Sequence, residues 1–266
     1  MTAPSAGIGQ TRVPLRATYF VLLFLLYLPI GILFVFSFSE NTTLVFPMNG
    51  FPTTQWYEAV LGDEALIQAI VNSLVVGLLA ATLATALGFG VSVATVRFRY
   101  RGRVGLVGLS ALPLIVPFIV LGVSLFLLFI FLDLPRSLLT IAIGHSIVAL
   151  PFALLILLAR MVGLDANLEE AAMDLGAPYR STLRRVVVPL MGPSLLSAWL
   201  TCFIVSFDEV AIALFLAGGD QTFPVFLYGQ LRFAGRLPVL IAAAVLLMVL
   251  TITLTLVAFR LGRRNA

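Results

Sequence analysis

Six long apolar segments dominate this sequence and limit what the chain can fold into. They are separated by short stretches that hold most of the charges and turn-forming residues, and they cover residues 18–38, 66–96, 104–132, 138–160, 190–217 and 237–259. A helix needs about 20 apolar residues to cross a hydrocarbon layer of about 30 Å. With 61% hydrophobic and 11% charged residues, the chain has more apolar surface than a soluble domain can bury. The sequence therefore predicts an all-α, polytopic membrane protein with six transmembrane helices.

A signal peptide is an alternative interpretation of the first apolar segment. Arg12 and Arg16 precede it, and Ser37-Phe38-Ser39 loosely resembles a cleavage site. Its apolar stretch is longer than the core of about 7–15 residues that signal peptides have, so we predict an uncleaved first span. The chain then divides into a cytoplasmic N-terminal tail (1–17), a six-span membrane domain (18–259) and a cytoplasmic C-terminal tail (260–266).

The arginines predict how the chain is oriented. All sixteen basic residues are arginine, which is typical of a GC-rich bacterial genome. If the N terminus is cytoplasmic, all but three of them fall on the cytoplasmic side, and the exceptions are Arg136, Arg232 and Arg236. Short cytoplasmic loops of membrane proteins are enriched in basic residues. We therefore expect a multi-pass protein of the bacterial inner membrane with both termini in the cytoplasm, and the net charge of +4 requires no nucleic-acid partner.

The connection between the fourth and fifth segments, here called the long loop (161–189), exceeds the few residues that join packed helices. Its pattern predicts a short helix that Asp165 or Asn167 caps and Gly176 ends, with Pro178 opening the next element. The apolar residues of this helix recur on one face at Leu168, Ala171, Ala172 and Leu175. Because no lipid covers a cytoplasmic loop, this face either docks on a protein partner or folds back on its own bundle.

The long loop also contains a motif with fixed spacing. Glu170-Ala171-Ala172 is followed after three residues by Gly176 and after nine more by Val186-Val187-Val188-Pro189. This pattern resembles the EAA motif of ATP-binding-cassette importer permeases, with valine where isoleucine and leucine are usual. The resemblance implies a coupling helix that docks on an ATPase subunit, and the ATPase-coupling residues are expected to be Glu169, Glu170, Ala171, Ala172, Asp174, Gly176, Val186 and Pro189.

The same resemblance implies roles for two of these residues and for the partner. Glu170 is expected to make a polar or ionic contact with the ATPase, and Gly176 is expected to permit the bend. The chain contains no Walker-type phosphate-binding sequence, so ATP and Mg²⁺ are expected on a separate ATPase subunit. We expect neither a catalytic residue nor a metal site or cofactor in this chain.

An acidic pair interrupts the fifth apolar segment at Phe207-Asp208-Glu209. If the span begins near Pro193, the pair lies about 22 Å into the membrane at about 1.5 Å per residue. An acidic residue costs about 2.5–3.5 kcal/mol to insert at the membrane centre. Phe207, Asp208 and Glu209 are therefore candidates for a cation-binding position on a substrate path. The alternative is a structural polar contact, either with a second permease subunit or with Arg232 or Arg236.

Residues 15–260 resemble the spermidine/putrescine permease family. The residues on which this resemblance rests are Ser37-Phe38-Ser39, Trp56-Tyr57, Asn72-Ser73-Leu74, the stretch from Arg97 to Gly102, His145, Pro151-Phe152 and the stretch from Ser206 to Val210. The resemblance implies the fold of a type I importer permease. It also implies a second homologous permease, two ATPase subunits and an extracytoplasmic substrate-binding protein as partners. Where the family's spermidine member has two aspartates, this chain has Asp208-Glu209.

The expected function is import of a small organic cation, with a polyamine favoured, driven by ATP hydrolysis in a partner. One alternative is a permease of the same class for another amino-acid-derived substrate, such as an opine or an amino acid. A second is a proton-coupled secondary carrier that uses Asp208, Glu209 or His145, although a single intramembrane histidine is more typical of an interhelical hydrogen bond. A third is a membrane scaffold that transports nothing.

Overall fold

A computed structural model describes residues 15–43 and 45–263, and every regular element in this part of the chain is helical. Arg12, Arg264, most of the predicted N-terminal tail and the last three residues of the predicted C-terminal tail lie outside the described residues. The helices are α1 (Leu15–Phe36), α2 (Gln55–Leu61), α3 (Glu64–Arg97), α4 (Arg103–Ala111), α5 (Phe118–Phe131), α6 (Leu138–Val162), α7 (Asn167–Asp174), α8 (Tyr179–Thr182), α9 (Val188–Phe207), α10 (Ala211–Leu216), α11 (Phe223–Gln230) and α12 (Leu237–Arg263). The prediction of an all-helical membrane bundle is confirmed.

Among the described residues, five helices are long and apolar enough to cross a membrane, and a bent helix pair supplies a sixth crossing if it counts as one span. Two of the long helices begin at side chains that cap them. Asp63 accepts a hydrogen bond from the Leu66 N–H at 3.1 Å at the start of α3. Ser137 and Thr140 form a capping box at the start of α6. Such caps satisfy backbone N–H groups that have no partner within the helix.

The third apolar segment is not the single long span that the sequence predicts. It is broken between α4 and α5, whose axes differ by 107°. A 3₁₀ turn at Leu112–Leu114 and Pro117 occupy the break. Proline lacks an N–H and disfavours helical geometry in the residue before it, so Pro113 and Pro117 together end α4 and start α5 in a new direction. Pro29 and Pro151, in contrast, lie inside α1 and α6.

The core of the bundle is formed where α3 packs against α6 and α9. Small residues line α3 on this side, and Ala80 and Ala84 are fully buried. A Cβ atom at Gly88 would lie 2.9 Å from the Ala153 Cβ and 3.1 Å from the Leu154 N. The ridge of small residues in the second apolar segment therefore brings the backbones of α3 and α6 close together, as in other membrane bundles.

Gly88→Ala is expected to lower the melting temperature of the detergent-solubilised protein, because the added methyl group overpacks the α3–α6 contact at a cost of about 1–3 kcal/mol. Gly90→Ala is the matched control in the same helix, since its Cβ would meet no atom within 4 Å. Differential scanning fluorimetry of both variants makes the comparison. Equal melting temperatures would contradict close packing at Gly88.

One cluster fixes the segment between α1 and α3. The Trp56 Nε1–H donates to the Ser39 carbonyl at 2.6 Å, and the Tyr57 hydroxyl lies 2.6 Å from the Ser37 Oγ. Arg236, in the turn before α12, forms an ion pair with Asp63. Arg236 is therefore engaged at the start of α3, and the alternative in which it pairs with the acidic residues of the fifth segment is wrong.

Candidate functional site

The long loop contains the short helix and the turn at Gly176 that its residue pattern predicts. Helix α7 spans Asn167–Asp174, and the Asp165 carboxylate accepts a hydrogen bond from the Asn167 N–H at 3.0 Å just before it. Neither predicted residue is the N-cap, because that position is Ala166, which makes no side-chain capping bond. Asp165 contacts the N–H of the first helical residue from one position before the cap. Gly176 has a φ of +88°, a left-handed conformation that glycine adopts without strain. The chain therefore turns sharply at Gly176 and enters α8 through Pro178.

Helix α7 has one face toward the bundle and one face toward solvent. Leu168 is 47% exposed, Leu175 is 90% exposed, and Ala171 is also exposed. Ala172, the remaining residue of the predicted apolar face, is half-buried. The expected apolar face is therefore largely uncovered by the bundle of its own chain. An apolar surface outside the lipid is typical of a protein–protein contact.

The two glutamates at the start of α7 point in different directions. Glu170 is exposed. Glu169 is buried, and its Oε1 lies 2.8 Å from Nε and 2.7 Å from Nη2 of Arg97, the last residue of α3. Of these two glutamates, only Glu170 is accessible to another subunit in this structure, while Glu169 holds α7 against its own bundle.

The last part of the motif lies where the long loop becomes α9. A π-helical turn at Leu183–Val187 joins α8 to α9, so the helical path runs from Tyr179 to Phe207. Pro189 would clash with the carbonyl four residues earlier in a regular helix, and a wider turn at that point relieves such clashes. Val186 is half-buried and Pro189 is exposed.

The acidic pair does not lie within a continuous span, which corrects the placement that the sequence suggests. Helix α9 ends at Phe207, Asp208 follows as its C-terminal cap, and α10 begins at Ala211. The Glu209 Oε1 accepts a hydrogen bond from the Ile212 N–H at 2.9 Å, and this side chain is buried. Glu209 therefore provides a hydrogen-bond partner for a backbone N–H in the first turn of α10. One of the two carboxylates thus has a structural role.

Asp208 is exposed and lies in a groove of about 510 Å³ between α9, α11 and α12, here called the acidic groove. Phe207, Phe223 and Tyr228 are among the residues that line it, together with aliphatic side chains of α12. Asp208 is the charged member of this lining. A carboxylate beside aromatic rings is suited to an organic cation, which is attracted to both the negative charge and the ring faces. Glu209 does not line the groove.

His145 makes the interhelical hydrogen bond that its isolated position indicates. Its side chain is buried in α6, and its Nδ1 lies 2.9 Å from the Ser206 Oγ in α9. Ser206 directly precedes Phe207, so this contact fixes the end of α9 from which Asp208 projects.

Two residues near the acidic groove have structural roles that the sequence did not predict. Asn72 and Ser73 are buried in α3. The Asn72 Nδ2 donates to the Gln221 carbonyl at 3.0 Å, and the Ser73 Oγ accepts from the Phe223 N–H at 2.8 Å. Together they hold the start of α11, one wall of the groove. Adjacent polar residues in an apolar helix were the available signal, but their partners are backbone groups almost 150 positions away.

The described part of the chain contains no group of three or more histidine, cysteine, aspartate or glutamate side chains that could hold a metal ion. The residues described above form two separate candidate surfaces. One is the solvent face of α7, and the other is the acidic groove.

Comparison with known proteins adds a family and a fold. Residues 86–266 match the family described as binding-protein-dependent transport system inner membrane component. The chain is 32% identical to the spermidine/putrescine transport system permease protein PotC of Haemophilus influenzae over 94% of this chain and 96% of that protein. It is 34% identical to the putrescine transport system permease protein PotI of Escherichia coli over 85% of this chain and 83% of that protein.

A solved structure shares the fold. A chain of a bacterial ABC transporter involved in the import of the acidic polysaccharide alginate superposes with a TM-score of 0.76, at 20% sequence identity, over 98% of this chain and 99% of that chain. Likeness at this level of identity shows the architecture alone.

Proposed function

Because the chain belongs to the family of binding-protein-dependent transport system inner membrane components, we propose that it is the permease subunit of an ATP-driven importer of polyamines. The observation that supports this function most directly is the exposed apolar face of α7 beside the sharp turn at Gly176. A short helix held on two membrane helices can convert the closing of an ATPase dimer into movement of those helices. Within this proposal, Glu170, Ala171, Asp174 and Leu175 contact the ATPase.

The acidic groove supports a cationic cargo. Polyamines have several ammonium groups separated by methylene chains, so they gain from a carboxylate and from apolar and aromatic walls together. Asp208 provides the charge, and Phe207, Phe223 and Tyr228 provide the rings. Relatives at 32% and 34% identity have names that specify spermidine and putrescine transport.

The proposed assembly contains a second homologous permease, two ATPase subunits that bind ATP and Mg²⁺, and an extracytoplasmic substrate-binding protein. The protein lies in the bacterial inner membrane with both termini in the cytoplasm, which places the long loop and most of the arginines on the ATPase side. The opposite surface, around α2, then faces the substrate-binding protein.

Uptake by the complete complex in proteoliposomes tests this function. Radiolabelled spermidine and putrescine are supplied outside with the substrate-binding protein, and ATP and Mg²⁺ are enclosed on the ATPase side. Uptake is expected to require ATP, and a protonophore is expected to leave it unchanged. Uptake driven by a proton gradient without ATP would instead establish a secondary carrier. If the complex took up an opine or a neutral amino acid but neither amine, the proposal that the cargo is a polyamine would be contradicted.

A further inference from the structure

The orientation of α7 is set by side-chain contacts and not by the segments that connect it to its neighbours. Residues 163–166 join α7 to α6, and residues 175–178 join it to α8. Because both connections of this eight-residue helix are short and non-helical, they do not continue the direction of the neighbouring helices into α7. A third contact is needed to fix which face points outward.

Arg97 and Glu169 provide that third contact. The Arg97 guanidinium bonds to the Glu169 carboxylate at 2.7 and 2.8 Å and to the Leu164 carbonyl at 3.2 Å. Their side chains are only 14% and 5% exposed, so water screens this ion pair weakly. On the other side of the turn, the rings of Phe98 and Tyr179 meet edge to face at 5.5 Å. The end of α3 is thus attached to the long loop before, within and after α7.

The other half of α3 is attached to the acidic groove. Asn72 and Ser73 bond to the backbone of Gln221 and Phe223 at 3.0 and 2.8 Å. Phe223 and Pro224 begin α11 and line the groove. A shift of α3 along its axis would therefore move this wall of the groove relative to Asp208, which projects from the end of α9.

Helix α3 is suited to connect these two places. It is one uninterrupted helix of 34 residues, and its sequence contains no proline. Ser73 and Arg97 are about 36 Å apart along it at about 1.5 Å per residue. Its middle is packed closely against α6 and α9 by small residues. This packing holds α3 straight, so a movement imposed at one end is carried to the other.

We propose that α3 links the ATPase-docking helix to the cargo groove, with Arg97–Glu169 as the contact at one end and Asn72 and Ser73 as the contacts at the other. This inference rests on the proposed function. In it, Arg97, Glu169, Asn72 and Ser73 are positioning residues that touch neither ATP nor cargo. They set how far a movement of α7 changes the groove.

A double-mutant cycle across α3 tests the link. The complete complex is reconstituted with Glu169→Gln, Ser73→Ala or both, and the number of spermidine molecules taken up per ATP hydrolysed is measured. Each single variant is expected to lower this ratio by about fivefold, a typical scale for mutations that alter coupling between distant sites. The double variant is expected to lower it no further than the more severe single variant. Substitutions this far apart normally add, so additive losses would overturn the proposal.

The matched control is Arg101→Gln, which removes an exposed positive charge from the connection between α3 and α4, four residues after Arg97, and is expected to leave the ratio unchanged. If Glu169 had a purely structural role, Glu169→Gln would lower the amount of assembled complex, the uptake rate and the rate of ATP hydrolysis together, and the ratio of uptake to hydrolysis would stay constant. That result would also overturn the proposal. If Glu169→Gln does not assemble, Arg97→Lys takes its place in the cycle, because lysine keeps the charge but lacks the planar fork of arginine.

These outcomes are separable from a failure of the proposed function. If the unaltered complex does not take up spermidine or putrescine with ATP, the proposed function fails before any variant is compared. If the unaltered complex transports and the variants keep a normal ratio, only the role of α3 is wrong.

Discussion

Asp208→Asn is expected to reduce spermidine uptake by about 10–100-fold. The substitution preserves the size and polarity of the side chain but removes the charge that the acidic groove offers to a cation. Hydrogen bonds to charged groups contribute about 1.5–3 kcal/mol, which corresponds to this range. The measurement is the concentration dependence of uptake by the reconstituted complex, together with its ATPase activity.

Substitutions of the two acidic residues are expected to reduce uptake to different extents in this assay. Glu209→Gln retains an oxygen that can accept from the Ile212 N–H, so we expect its uptake to stay within about threefold of the unaltered protein, in line with the modest net contribution of one hydrogen bond. Asp133→Asn is the control for loss of an exposed carboxylate. Its φ of 55° is a conformation that asparagine also tolerates. Equal losses in all three variants would contradict a role for Asp208 in cargo recognition.

Gly176→Pro is expected to abolish ATP-driven uptake while the protein still inserts into the membrane. Proline fixes φ near −65°, whereas Gly176 has a φ of +88°. The turn after α7 must therefore change direction, which disrupts the proposed contact between the exposed face of the helix and the ATPase. We expect uptake to fall by at least about tenfold, since even a small misplacement disrupts a rigid contact. Uptake, ATPase co-purification and membrane insertion are measured on the same preparations.

Gly102 offers a control with the same backbone constraint. It has a φ of +93° in the exposed turn before α4, and a Cβ atom added there would meet no other atom within 4 Å. Gly102→Ala and Gly176→Ala therefore impose similar strain of about 1–2 kcal/mol at two turns, of which only the turn at Gly176 adjoins α7. Glu170→Lys adds a charge reversal on the exposed face of α7. Normal coupled uptake in Gly176→Pro and Glu170→Lys would contradict docking through α7.

Much of the fold follows from local patterns in the sequence. The long apolar segments, the short helix α7 and the turn at Gly176 depend on residues that are close together in the chain, so hydropathy, capping and glycine indicate them directly. The break between α4 and α5 was harder to predict, because proline inside a membrane helix either bends it or is tolerated. Pro29 and Pro151 are tolerated, whereas Pro113 and Pro117 are only four residues apart and end the helix.

The features of the candidate site that the sequence did not predict depend on contacts between residues that are distant in the chain. Glu169 and Glu170 are adjacent and chemically alike, and only the position of Arg97, 72 residues earlier, decides which of them is buried. Likewise, two acidic residues in an apolar segment suggest two charges inside a helix. The structure instead ends α9 between Phe207 and Asp208 and uses the Glu209 side chain to begin α10. Such a break is compatible with a membrane protein because the freed backbone groups find partners within the protein.

The nearly complete exposure of Leu175 has a consequence for biogenesis. A leucine and its apolar neighbours on the aqueous side of a membrane form an exposed hydrophobic surface, which is prone to non-specific association until another subunit covers it. A permease synthesised in excess over its ATPase therefore presents, at α7, the kind of signal that chaperones and proteases recognise. We expect the abundance of this protein in cells to follow the supply of its ATPase, so that unassembled copies are degraded rather than accumulated.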